Sequence, residues 1–274
     1  MLKTLLKYEW KDTWGLGTTC NGIALILSVI GSLMISLWHY SDDKSFTDTQ
    51  MAMLGVGLSF YVIIYVVSVF AIALVMKYYF FIRYYKNLFT DQGYLMHTLP
   101  VKSTDLINAK LIIAVLWQFI TCAVLVGCLM MLFFSFGTAI GDMTMHDVFE
   151  AFHDMEFVFE EIVKEIPLIV SSIICSLMSP ILEILLMYVA VGIGQLSKKN
   201  RLFLSVLVLI GIYIGKRFLL SMLMVPFQLA IAEEDFSATS MNIASGFGTL
   251  AVIGITVGLY FLNKYFLEQK LNLE

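Results

Sequence analysis

MAMLGVGLSFYVIIYVVSVFAIALVM, residues Met51–Met76, contains no Asp, Glu, Lys or Arg. A hydrocarbon slab roughly 30 Å thick needs about 20 consecutive apolar residues per helical crossing, so this run predicts a membrane-spanning helix. Comparable runs recur at about Leu16–Trp38, Leu111–Phe136, Leu168–Leu196, from Leu202 onward, and at about Ile243–Leu262. Over all 274 residues, 59% are apolar and 14% charged, with a mean hydropathy of +0.86. A soluble globular domain runs about 45–50% apolar and about 25% charged. The composition excludes an ordinary soluble enzyme and predicts an all-α integral membrane protein with six transmembrane helices.

The segments between the runs carry the charge, and its distribution orients the chain. Residues 1–15, MLKTLLKYEWKDTWG, read as an amphipathic helix with Leu2, Leu5, Leu6, Trp10 and Trp14 on one side and Lys3, Lys7 and Lys11 on another. A basic helix with tryptophans suits the membrane interface, so an interfacial entry helix over 1–15 is expected before a six-span domain over 16–274. No small-residue cleavage site follows a short apolar stretch, which argues against a removable signal peptide. Residues 77–110 are polar and basic, and residues 141–167 place Phe149, Phe152, Met155, Phe159 and Ile162 at helical steps beside an acidic face. With both termini cytoplasmic, thirteen of the 17 Lys and Arg residues fall on the inner side and two, Lys44 and Lys164, on the outer. Retention of cations on the cytoplasmic side is the main determinant of topology. Fourteen of the 21 acids occupy the outer loops, the opposite skew.

The remaining cations, Lys216 and Arg217, lie inside the fifth apolar run. A straight helix over 202–232 would be about 46 Å long at 1.5 Å per residue, more than one crossing requires. The expected reading ends the fifth span near Lys216 and makes 219–232 a re-entrant segment broken at Pro226. A long, strongly tilted helix with the pair facing a polar lumen stays open as the alternative. Glu183, a carboxylate within the fourth run, is costly in lipid and points to a protein interior or a water-filled path. Glu183, Lys216 and Arg217 are therefore the candidate polar pathway.

Other chemistry is weakly represented. No GxxxxGK[ST] phosphate loop occurs, so the chain has no nucleotide site of that kind and is not expected to be an enzyme. A net charge of −4 gives no reason to expect a nucleic-acid partner. Cys20, Cys122, Cys128 and Cys175 sit in apolar runs without metal-ligand or disulfide spacing. His146 and His153 share a face with Asp147, Glu150 and Asp154, a pattern any solvated amphipathic helix offers, and no metal site or bound cofactor is expected. The pair Glu160–Glu161 resembles the diglutamate of intramembrane CAAX-type proteases, but Glu165 stands where that pattern needs arginine, and the pair lies in a loop.

The most informative polar stretch is FIRYYKNLFTDQGYLMHTLPVKSTDLINAKLI, Phe81–Ile112. Thr90 or Asp91 can cap a short helix over 92–99, which Pro100 would stop. That helix would display Asp91, Tyr94, Met96 and His97 at the cytoplasmic surface between two spans, and an exposed aromatic and apolar knob needs a partner. Here the chain resembles the permease subunits of the type-two ABC exporter family, in particular the small Firmicutes-type permeases. KTLLKYEWKDTW is similar to that family's elbow helix, and TDQGYLMHTLPVKSTDLINAKL to its cytoplasmic loop after the second span. The resemblance extends as a pattern over nearly the whole chain, while its sequence-specific part is that loop. The 141–167 insertion, expected to be extracellular, is longer than the family minimum.

The resemblance implies a permease subunit in a bacterial cell membrane that exports a hydrophobic or amphipathic molecule such as a peptide, drug or lipid. It implies a second permease subunit, identical or different, surrounding membrane lipid, and a separate ATP-binding-cassette ATPase holding ATP and Mg. The coupling residues would be Thr90, Asp91, Gln92, Tyr94, Leu95, Met96 and His97. Two other classes remain in view: an ion-coupled secondary transporter using Glu183, Lys216 and Arg217, and a non-transporting membrane sensor subunit.

Overall fold

The computed structural model describes residues 2–42, 47–90, 93, 102–140, 166–196, 200–232 and 238–269. Six long helices account for nearly all of them: α1 (Leu2–Asp42), α2 (Asp48–Phe89), α3 (Ser103–Ile140), α4 (Ile166–Gly194), α5 (Arg201–Ala232) and α6 (Ala238–Gln269). No strand occurs among the described residues. Each helix contains a stretch long and apolar enough to cross a membrane, so the chain is an all-helical, multi-pass membrane protein.

The helices are longer than the apolar runs that announce them. At 1.5 Å per residue, the 41 residues of α1 and the 42 of α2 extend about 61 and 63 Å, twice a hydrocarbon core of roughly 30 Å. The segment 77–110, expected as a loop, is largely helical: α2 continues through Phe89 and α3 begins at Ser103. The entry segment is helical from Leu2, as its period predicts, and passes into the first span without a break. Thr18 donates to the Trp14 carbonyl at 2.7 Å and Thr19 to the Gly15 carbonyl, side-chain bonds back onto the preceding turn. The re-entrant break expected at Pro226 is likewise not in the backbone, where α5 is continuous from Arg201 to Ala232. A proline that follows several helical turns is accommodated in membrane helices when neighbouring groups satisfy the freed carbonyl.

The chain divides into two compact units. The first comprises residues 1–9, 79–115 and 160–274. Its centre is α4, which packs most extensively on α6 and next on α5 and is buried all round from Ile184 to Gly192. Small residues permit this. A side chain at Gly192 would press on the Phe266 ring at 3.1 Å, and one at Gly194 would collide with Ser205. Asn263, buried on α6, donates to the Leu185 carbonyl at 3.2 Å and to its own helix at Leu259, and Tyr260 donates to Asn108 on α3 at 3.0 Å. These contacts join the C-terminal halves of the even-numbered helices α4 and α6 to each other and to the N-terminal ends of the odd-numbered α3 and α5, which is what an up-and-down bundle produces.

The second unit comprises residues 10–78 and 116–159. Along α1 the buried positions are Thr13, Gly17, Asn21, Ala24, Ser28, Gly31 and Ile35, mostly small or polar residues at three- and four-residue steps, while Ile23, Ile26, Leu33 and Leu37 are exposed. This reversal of the soluble pattern suits lipid, where close approach and hydrogen bonds rather than apolar burial hold helices together. Trp117 lies against Gly17 and donates to Thr13 Oγ1 at 2.9 Å, while its ring stacks on Trp10 at 5.1 Å. Ser28 lies 3.3 Å from the Tyr65 hydroxyl, and Tyr61 donates to the Leu27 carbonyl.

Gly31 has the Tyr61 ring 2.6 Å from where a side chain would begin, whereas Gly22 has nothing within 4 Å. Gly31→Val is expected to destabilise this unit by about 1–3 kcal/mol, lowering the thermal midpoint of the detergent-purified protein. Gly22→Ala is expected to leave that midpoint unchanged or slightly raised.

Candidate functional site

The most concentrated polar chemistry of the first unit lies where α1, α2 and α3 meet at the lysine- and arginine-rich end. Glu9 falls on the α1 face that continues through Thr13, Gly17 and Asn21, one step of four residues after another, so the periodicity that buries those positions also buries a carboxylate. An isolated charge there would be prohibitively costly. Two cations meet it: Arg83 of α2 donates from Nη2 at 2.5 Å and from Nε at 3.2 Å to Oε2, and Lys110 of α3 donates from Nζ at 2.6 Å to Oε1. The side chains of Arg83, Glu9 and Lys110 are 12%, 8% and 4% exposed, so this is an interior ion triad, in which each carboxylate oxygen has its own cation. Arg83 Nη1 also donates to the Tyr79 hydroxyl at 3.1 Å.

Two tyrosines wall the triad. Tyr84 and Tyr188, both essentially inaccessible, stack with centroids 3.6 Å apart and planes 7° from parallel. A cavity of about 10 Å³ is bounded by Glu9, Phe80, Arg83, Tyr84, Lys110, Ile113 and Tyr188, room for a single water-sized group. The Tyr84 hydroxyl has no hydrogen-bond partner among the described residues.

The arms of the expected coupling segment emerge from this core. Leu88 on α2 and Ile107 on α3 are fully buried. Beyond Phe89 the Thr90 hydroxyl donates to the Lys86 carbonyl at 2.5 Å, and the Thr90 carbonyl accepts from the Gly93 amide at 2.6 Å. A side chain at Gly93 would begin 2.5 Å from the Leu88 carbonyl oxygen, which explains a glycine at this turn. On the other arm, the amides of Asp105 and Leu106 donate to the Lys102 carbonyl to start α3. Of the expected coupling residues, Thr90 occupies this turn, whereas Asp91, Gln92, Tyr94, Leu95, Met96 and His97 lie outside the described residues, as does the insertion over 141–165.

The candidate polar pathway is gathered in part. Glu183, half-buried on α4, acts electrostatically on Tyr213 of α5. Lys216 Nζ lies 5.9 Å from the centre of the same ring, while Arg217 is exposed. In the second unit, α1, α2 and α3 enclose an apolar cleft of about 610 Å³ lined by residues including Ile35, Tyr61, Tyr65, Met130 and Phe133. The tyrosine hydroxyls there are engaged with α1. No group of three His, Cys, Asp or Glu residues that could hold a metal ion occurs among the described residues.

The ion triad is the site that reading the sequence did not reveal. Arg83 and Lys110 count there as loop cations and Glu9 as one acid among lysines. The available signal was the series Glu9, Thr13, Gly17, Asn21 on one face, which marks Glu9 as inward-facing without naming its partners. Comparison of the chain with protein-family models, with curated proteins and with solved structures finds no match in any of the three.

Glu9→Gln removes the charge that two interior cations share and is expected to destabilise the fold by about 3–5 kcal/mol, more than Lys110→Met, which keeps the Glu9–Arg83 pair. Tyr84→Phe removes an unpartnered buried hydroxyl and is expected to be neutral or stabilising. Thermal midpoints measured in one detergent order the three variants.

Proposed function

We propose that this chain is the membrane permease subunit of an ATP-binding-cassette exporter, driven by a separate ATPase subunit that engages residues 90–102. The single observation that carries this reading is the way the two arms of that segment are held. α2 and α3 run past their apolar spans and are fixed at their polar ends by interior charge pairs and complete burial of Leu88 and Ile107. A connection rooted in so rigid a base passes displacement to the spans instead of absorbing it. The basic character of that end agrees with a cytoplasmic location for it and for both termini, in a bacterial cell membrane. The chain carries no phosphate-loop motif, so ATP and Mg belong to the partner, and nothing in this polypeptide would hydrolyse ATP.

In this reading the functional unit pairs two permease chains with two ATPases. Closure of the ATPases on nucleotide shifts the coupling segment between two positions, each favoured by different contacts, and the attached α2 and α3 follow. The cargo is a hydrophobic or amphipathic molecule, in keeping with a cleft of about 610 Å³ whose walls are almost wholly apolar. Glu183, Tyr213 and Lys216 would then act as a polar marker between α4 and α5 rather than as an ion-coupling site.

Affinity purification of the full chain from its native membrane, followed by identification of co-purifying proteins and assay of ATP hydrolysis, tests the reading. An ABC-type ATPase is expected in the complex. Tyr94→Ala and Leu95→Asp are expected to abolish stimulation of that ATPase by the permease while leaving membrane insertion intact. Undiminished stimulation in both variants, or full-rate solute movement by the purified chain without a companion protein, would overturn it.

A further inference from the structure

We infer that Glu9 is a positioning residue: the first turns of α1 supply an internal counter-ion that sets two arms, the end of α2 and the start of α3, against each other. What those arms transmit rests on the function proposed above, whereas the positioning role stands on geometry. Glu9 receives an ion pair from each arm, Arg83 at 2.5 Å from α2 and Lys110 at 2.6 Å from α3. Arg83 lies six residues before the end of α2 and Lys110 seven after the start of α3, so the two cations sit at matching depth on the arms. Both cations approach the same carboxylate, one at each oxygen, so its charge is shared between the arms. The entry helix thus has a task inside the protein besides any it has at the membrane surface: it joins both arms at one point.

The pairs are short and nearly enclosed, so displacing α1 by one helical turn, about 5.4 Å, would separate Glu9 from both cations at once. Loss of the carboxylate should therefore loosen both arms together, whereas an ordinary structural contact of α1 would loosen only its own neighbourhood.

Hydrogen–deuterium exchange of the full chain in nanodiscs of phosphatidylglycerol and phosphatidylcholine tests this. In Glu9→Gln, exchange over 79–89 and over 103–110 is expected to quicken together by about tenfold or more, with 201–219 unchanged. The charge-exchanged double variant, Glu9→Lys with Lys110→Glu, is expected to return both arms toward natural protection, since a single carboxylate would again lie between two cations. Quickening confined to 2–9, quickening of one arm alone, or no change in either arm would overturn the inference. If Glu9→Gln does not accumulate, the double variant carries the test: natural protection of both arms supports the role, and loosened arms or failure to accumulate refute it. An intact response in a chain that captures no ATPase would leave Glu9 its positioning role and remove the coupling reading.

Discussion

A carboxylate taken out of water persists only where positive charge meets it, and Glu9 meets two cations from two other helices. That constraint fixes more than charge balance. Helices in lipid gain little from burying apolar surface against one another, so their apolar faces alone leave sliding along the axis cheap. Polar contacts supply the register. The Glu9 triad sets α1, α2 and α3, Tyr260 with Asn108 ties α6 to α3, and Asn263 with the Leu185 carbonyl ties α6 to α4. In the second unit Trp117 with Thr13 and Ser28 with Tyr65 do the same. Each pins a helix at one height, and the small residues beside them, such as Gly194 against Ser205, allow the approach that makes the bonds possible.

The membrane class and the number of spans were legible because hydrocarbon thickness imposes a length on apolar runs that no other requirement imitates. The helix ends were not. Hydropathy measures the bilayer, and α2 and α3 continue beyond it into surroundings made by the protein itself, where Arg83 and Lys110 are as enclosed as leucines. Both were read as loop residues because a charge in a sequence looks solvated until its partner is known, and that partner lies 74 residues from Arg83 and 101 from Lys110. A boundary at residue 15 followed from the change in polarity there, across which α1 continues without interruption. Pro226 read as a break because proline costs a hydrogen bond, a cost that α5 carries without interruption. The site itself was not legible: turn chemistry drew attention to the residues after Phe89, while the charge cluster beside them required three dimensions.

The two units differ in character. In the first, interior charges, stacked tyrosines and an α4 buried on all sides over its C-terminal half make a base resembling the core of a soluble protein. In the second, small polar residues face inward, large aliphatic ones outward, and an apolar cleft opens among α1, α2 and α3.

The account depends on the charged base facing the compartment that holds ATP. The direct measurement is labelling with a membrane-impermeant maleimide of a chain whose four cysteines are replaced and whose Lys102 is changed to cysteine, in inside-out and right-side-out vesicles. Reaction in inside-out vesicles alone is the predicted result. Reaction at residue 102 from the outer side would place that end of the protein away from any ATPase and contradict the proposed function.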